Sequence, residues 1–251
     1  MKTLGIIGGL GPQTTSKVYL SIVDLIRGAH HKTYPPMVIY NLPFPFAIED
    51  EIIVQGINSE KMLPYLLEAT EILGKSGVNL GILPCNTLHK YIEDIRKVAT
   101  FPFLSILEET AKAIAERQFK KVGILATETT VESKLYDKSL KDQGIEIIYP
   151  TDEEQIELDL LIVNLLKGEE SGKEIKNLQK ICDSLIEKGV EVIVLACTDL
   201  QLVMSKVHSS VPIVDTTDLL IKASVNEMLS NDKKNSAAIK IDSQHEHVVR
   251  P

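Results

Sequence analysis

VNLGILPCNTLHKYIEDI, Val78 to Ile95, and VEVIVLACTDLQLVMSKV, Val190 to Val207, follow the same plan. Each enters, from its third residue, a continuous apolar run of strand length, places one cysteine in a short polar loop, and moves into apolar residues at helical spacing. A strand with no polar side belongs to a parallel sheet covered on both faces. A second pair repeats the plan at nearly the same separation: LGIIGGLGPQTTSKVYL from Leu4 and VGILATETTVESKLYDKSL from Val122. Two separate pairs at nearly equal offsets point to duplication. The expected fold class is therefore α/β: two similar parallel-sheet α/β lobes related by a pseudo-twofold.

Working outward, strand-length apolar runs alternate with helix-period segments along the chain, the signature of βαβ units. Strands are expected at Leu4–Ile7, Met37–Tyr40, Val78–Leu83, Phe103–Ile106, Val122–Leu125, Ile145–Ile148, Val192–Leu195 and Ile213–Val214. Helices are expected at Thr14–Arg27 and Glu60–Leu73, from Glu108, between Leu125 and Gly144, at Glu157–Lys167 and at Lys173–Lys188. The first lobe would hold residues 1–100 and 208–229, and the second residues 101–207. Residues 230–251 are polar and lack a sustained period, and are expected to be a mobile tail.

The 251 residues carry a net charge of -8 and include three cysteines and no tryptophan. That balance argues against a nucleic-acid surface, which needs a basic patch. No apolar run reaches the length of a membrane span. An odd, small number of cysteines argues against a disulfide framework and for a reducing, cytoplasmic setting with thiols free for chemistry.

Cys85 and Cys197 each stand where a parallel strand gives way to a helix, the edge at which open α/β sheets bind ligands. Helix amide groups there would favour a thiolate and a substrate carboxylate. Asn86, Thr87 and Thr198 add hydrogen-bonding capacity beside the sulfurs. Two thiols across one cleft could invert a carbon centre, one removing a proton from one face while the other delivers a proton to the opposite face. Cysteine also packs as a small hydrophobe, and Cys182, within IKNLQKICDSLIEKG, reads as core.

Other signals are weaker. GIIGGLGP lacks full dinucleotide-loop spacing and reads as a tight turn allowing close approach of a ligand. Cys85 and His89 share metal-compatible spacing but are too few for a site. His89 reads as a supporting or helix-surface residue, and His245 and His247 as solvated.

PCNTLH at Pro84–His89, ACTDL at Ala196–Leu200, GIIGGLGP at Gly5–Pro12 and ILATETT at Ile124–Thr130, in that arrangement, resemble the signatures of the aspartate/glutamate racemase superfamily, in its aspartate racemase branch. The resemblance spans roughly residues 1–229. It implies two α/β lobes with the active site in the cleft between them, in a homodimeric amino-acid racemase with a small-molecule amino-acid substrate and neither organic cofactor nor metal. Cys85 and Cys197 would be the proton acceptor and donor. Leu10, Asn86, Thr87, Thr127 and Thr198 would line the substrate, and Lys167 would meet its distal carboxylate. Taken without the resemblance, Lys167 reads as a solvated lysine at a helix end.

The chain departs from that pattern in two places. Ala196 and Asp199 stand where Gly and Glu or His are usual, so the group assisting the second thiol is shorter. The loop NLPFPFAIEDE, Asn41–Glu51, lacks the arginine typical of aspartate racemases, and no Lys, Arg or His occurs between Lys32 and Lys61. Aspartate is the first expectation for the substrate, with glutamate or a neutral amino acid close behind. A hydantoin racemase or maleate isomerase on the same scaffold, and a non-catalytic small-molecule-binding role, stay open as alternatives.

Overall fold

The computed structural model describes residues 1–29, 32–49, 51–52 and 57–230. The expected polar tail lies outside the described residues apart from Ser230, and His245 and His247 fall in it. The chain forms two compact units. One holds Met1–Glu109 and residues 217–230, and the other holds Thr110–Thr216.

The first unit is built on a parallel sheet of β1 (Leu4–Gly8), β2 (Met37–Asn41), β3 (Leu80–Ile82) and β4 (Phe103–Leu104), in the order β2-β1-β3-β4. The second has β5 (Lys121–Leu125), β6 (Glu146–Ile148), β7 (Val192–Leu195) and β8 (Ile213–Asp215), ordered β6-β5-β7-β8, also all parallel. Each sheet thus starts on an inner strand, steps outward, then crosses back over. The repeat read from the sequence maps β1 onto β5 and β3 onto β7. In both sheets the crossover direction reverses between those two strands, the point at which doubly wound sheets open a ligand crevice beyond their carboxyl ends.

The central strands carry no polar face because both sides are covered: all five residues of β1 and all four of β7 are buried. Packing beside β3 is close. A Cβ on Gly81 in β3 would lie 2.6 Å from the Phe103 ring and 2.7 Å from that of Phe101. The first unit's core joins Ile7, Leu66, Leu73, Leu83 and Ile95. The second joins Leu125, Leu158, Ile162, Leu178, Leu185 and Cys182. Cys182 is fully buried, and desolvation pushes its thiol up to about 12, so it packs as a hydrophobe.

The lobe boundaries differ from those expected at 100/101 and 207/208. β4 pairs with β3 and β8 with β7, so each short strand completes the sheet of the unit before it. The chain crosses over only within α5 (Ile106–Glu116) and at the start of α11 (Thr216–Leu229). The helix expected before Gly144 is two short ones, α6 (Glu128–Glu132) and α7 (Asp137–Lys141), interrupted where Lys134 adopts φ 50. The remaining helices include α1 (Pro12–Gly28), α2 (Phe46–Glu49) and α3 (Leu63–Lys75) in the first unit and α8 (Asp152–Lys167) and α9 (Gly172–Glu187) in the second. None of the described helices is long and apolar enough to cross a membrane.

Candidate active site

In the first unit, the loops leaving β1 and β3 lie side by side at the carboxyl edge of the sheet. Gly8 and Gly9 let the chain turn tightly: Gly9 has φ +96, and a Cβ there would meet Asn41 Oδ1 at 3.0 Å. Thr15, one turn into α1, fixes this loop. Its hydroxyl accepts from the Gly9 amide at 3.0 Å and donates to the Gly11 carbonyl at 3.1 Å. Leu10, between them, is partly buried against the unit's core.

The loop after β3 presents Cys85 as a half-buried thiol outside any disulfide, with Asn86 and Thr87 buried next to it. The expected α-helix N-terminus is absent here. Thr87–Tyr91 forms a 3-10 turn, and regular helix begins only at α4 (Ile92–Val98). Cys85 therefore does not sit on the first turn of a long dipole. Its backbone is held differently. The Cys85 amide donates to the Leu83 carbonyl at 2.9 Å. Its carbonyl lies 2.7 Å from His89 Nδ1, and the other ring nitrogen, Nε2, accepts from the Ile106 amide at 3.1 Å.

That geometry assigns the imidazole. Because Nε2 must accept from an N–H, the proton sits on Nδ1 and is donated to Cys85. Burial drives the His89 pKa down to about 4, so the ring is neutral at physiological pH. His89 is 1% exposed, which corrects the helix-surface alternative. With both nitrogens engaged it has no lone pair for a metal, and among the described residues no three His, Cys, Asp or Glu side chains gather as a metal site.

In the second unit the corresponding loops follow β5 and β7. Cys197 is 6% exposed and Thr198 is buried beside it. The Ala196 amide donates to the Leu125 carbonyl at 2.8 Å, and the Leu200 amide to the Cys197 carbonyl at 3.3 Å. A turn leads into the four-residue α10 (Gln201–Met204), so this thiol too precedes a turn rather than a long helix. Asp199 Oδ2 lies 4.0 Å from Cys197 Sγ, at the outer limit of a sulfur contact. Burial raises the Asp199 carboxyl above its ordinary value, bringing its proton affinity nearer to that of a thiol.

Thr127 caps α6. Its hydroxyl accepts from the Thr130 amide at 3.4 Å and lies 3.0 Å from the Thr130 hydroxyl. Lys167 is exposed in the last turn of α8.

The structure thus gathers Leu10, Cys85, Asn86 and Thr87 at one sheet edge, and Thr127, Cys197, Thr198 and Asp199 at the matching edge of the other sheet. Two supports escaped the sequence reading. One is the bridging role of His89. The other is a pair on α8, Gln155 and Asp159, polar residues one turn apart on a face otherwise formed by Leu158, Leu161 and Ile162.

Comparison with known proteins fits this architecture. Residues 7–224 match the model of the Asp/Glu/Hydantoin racemase family, and the chain belongs to that family. It is 32% identical over 234 residues to the broad specificity amino-acid racemase RacX of Bacillus subtilis, covering 90% of this chain and 98% of that protein. An aspartate racemase homologue from Pyrococcus horikoshii superposes with TM-score 0.72 at 29% identity, covering 92% of this chain and all of that one. The Picrophilus torridus aspartate racemase shares the fold, with TM-score 0.73 at 22% identity over 91% of this chain and 94% of that one.

Proposed function

We propose that this protein is an amino-acid racemase in which Cys85 and Cys197 are the two acid–base groups, acting without organic cofactor or metal in a cytoplasmic homodimer. One observation carries the reading. The two thiols occupy the same position in two sheets of identical strand order, each just past the inner strand that borders the crossover point. A thiol holds one proton. A stereocentre is inverted when a thiolate on one side takes the α-hydrogen and a thiol on the other returns a different one. Asn86, Thr87, Thr127 and Thr198 would hold the ammonium and carboxylate common to all amino acids, with Leu10 lining the loop after β1.

For the substrate side chain we favour neutral groups over aspartate. In the loop after β2 the described side chains packed on the core are Leu42, Phe44 and Ile48. Phe44 meets Tyr65 edge-on at 6.5 Å. Lys61, the first cation after Lys32 in the sequence, is paired with Glu51. A distal carboxylate would therefore depend on Lys167 alone. The breadth in the name of the Bacillus subtilis relative agrees with a side-chain pocket that makes few charged demands.

The test is racemisation of separate L-methionine, L-leucine, L-lysine, L-glutamate and L-aspartate, followed by chiral chromatography. We expect kcat/KM for methionine to exceed that for aspartate by about tenfold or more, which corresponds to about 1.4 kcal/mol of discrimination. Turnover of aspartate alone would overturn the side-chain assignment, and turnover of none would overturn the racemase reading.

A further inference from the structure

α8 grips the backbone on both sides of Thr127. Gln155 Nε2 donates to the Ala126 carbonyl at 2.9 Å and to Asp159 Oδ2 at 3.0 Å, and the other oxygen of Asp159 accepts from the Glu128 amide at 3.0 Å. The Ala126 carbonyl belongs to the peptide entering Thr127, and the Glu128 amide to the peptide leaving it. Both peptide planes flanking one Cα are therefore tied to two side chains one helical turn apart, which are tied to each other. With two acceptors facing Nε2, the amide orientation of Gln155 is determined.

This cluster is a poor device for stability. Gln155 is 8% exposed, and its Oε1 is buried with no hydrogen-bond partner, an arrangement that costs free energy. Asp159 is partly buried on the same helix face. The two units also anchor their loops differently. In the first, Thr15 of the 17-residue α1 fixes the loop after the first strand. In the second, α6 spans only five residues, and α8 supplies the anchor from further along the chain.

We propose that Gln155 and Asp159 are positioning residues that hold the Thr127 loop in its substrate-binding conformation. The proposal rests on the racemase reading for what Thr127 binds, and on the hydrogen bonds alone for how the loop is held. Substrate binding would weaken when the loop loosens, while the thiols keep their own environments.

The experiment compares wild-type protein with Asp159→Asn and Gln155→Met. An amide at 159 turns a nitrogen toward either Gln155 Nε2 or the Glu128 amide, so at least one bond in the chain must break. Two quantities are measured: hydrogen exchange at the Glu128 amide, and KM and kcat for L-methionine, or for whichever amino acid of the panel is turned over fastest. We expect exchange at Glu128 to rise at least about tenfold in Asp159→Asn, with β7 amides unchanged. We expect KM to rise about tenfold in both variants, with kcat within about twofold of wild type. Unchanged exchange both in Asp159→Asn and in Asp159→Ala, which removes both acceptor oxygens at once, would overturn the clamp. Faster exchange with unchanged KM, or loss of kcat alone, would overturn the positioning role. A wild-type protein that racemises nothing, but whose Glu128 amide is freed by Asp159→Asn, would uphold the clamp and fail the racemase reading separately.

Discussion

The imidazole of His89 donates from Nδ1 to the carbonyl oxygen of Cys85 at 2.7 Å, while its Nε2 accepts the first free amide of α5, that of Ile106, at 3.1 Å. One buried ring therefore ties the cysteine loop to the start of the helix that follows β4. It satisfies a donor that a helix N-terminus leaves unmet. His89→Ala would orphan both groups and open a cavity, and should destabilise the protein by about 2–4 kcal/mol in urea unfolding.

The same ring predicts a pH dependence. Burial lowers the His89 pKa from 6.5 to about 4, so on acidification the unfolded chain takes up a proton that the folded chain refuses. Stability from this group is full above about pH 6.5 and falls away as the pH drops toward 4. The loss should be about 2 kcal/mol between pH 7 and pH 5. Urea midpoints of wild type and His89→Asn, measured at both pH values, should converge at the lower one. A constant gap would remove His89 as the source.

The three cysteines should separate cleanly. Cys85→Ser and Cys197→Ser should each lower kcat by about a thousandfold or more, with thermal midpoints near that of wild type. Cys182→Ala should retain kcat and lose about 1–2 kcal/mol of stability, as expected for trimming a buried side chain. Alkylation with iodoacetamide followed by peptide mass mapping should modify the half-buried Cys85 first and Cys182 last.

Much of this was legible from sequence because buried parallel strands declare themselves as unbroken apolar runs, as in GIIG and VIVL. The matching cysteines could be aligned across the repeat for the same reason. What escaped notice was short or weakly amphipathic. β4 has two residues, so its pairing with β3 rather than with the second sheet leaves no pattern to read. α11 has Leu219, Leu220, Ile221, Val225 and Met228 all buried and so shows only a weak amphipathic period. The turns after Cys85 and Cys197 looked like helix starts because a 3-10 turn and a helix share their first apolar spacing. His89 and Gln155 act through backbone groups, which the sequence around them does not reveal.

Gly81 offers a test of packing independent of chemistry. Its missing Cβ leaves room for the Phe101 and Phe103 rings, whose centroids lie 5.4 Å apart. Gly81→Ala should force those rings or β3 to move and destabilise the protein by about 1–3 kcal/mol, read as a lowered thermal midpoint.

Asp199 stands close enough to Cys197 to influence its protonation but not to form a short hydrogen bond with it. Asp199→Asn should lower kcat about tenfold or more while KM stays within about twofold, because the residue would assist the thiol rather than grip the substrate. An unchanged kcat would leave Asp199 as a structural side chain only.

Opposed protonation by two thiols is tested most directly by following one enantiomer in D2O at low conversion. The thiolate that takes the α-hydrogen and the deuterated thiol that returns one are different groups, so the newly formed antipode should hold deuterium at Cα while the recovered starting enantiomer keeps its protium. Deuterium appearing equally in both, or protium carried across into the product, would contradict two bases acting from opposite faces.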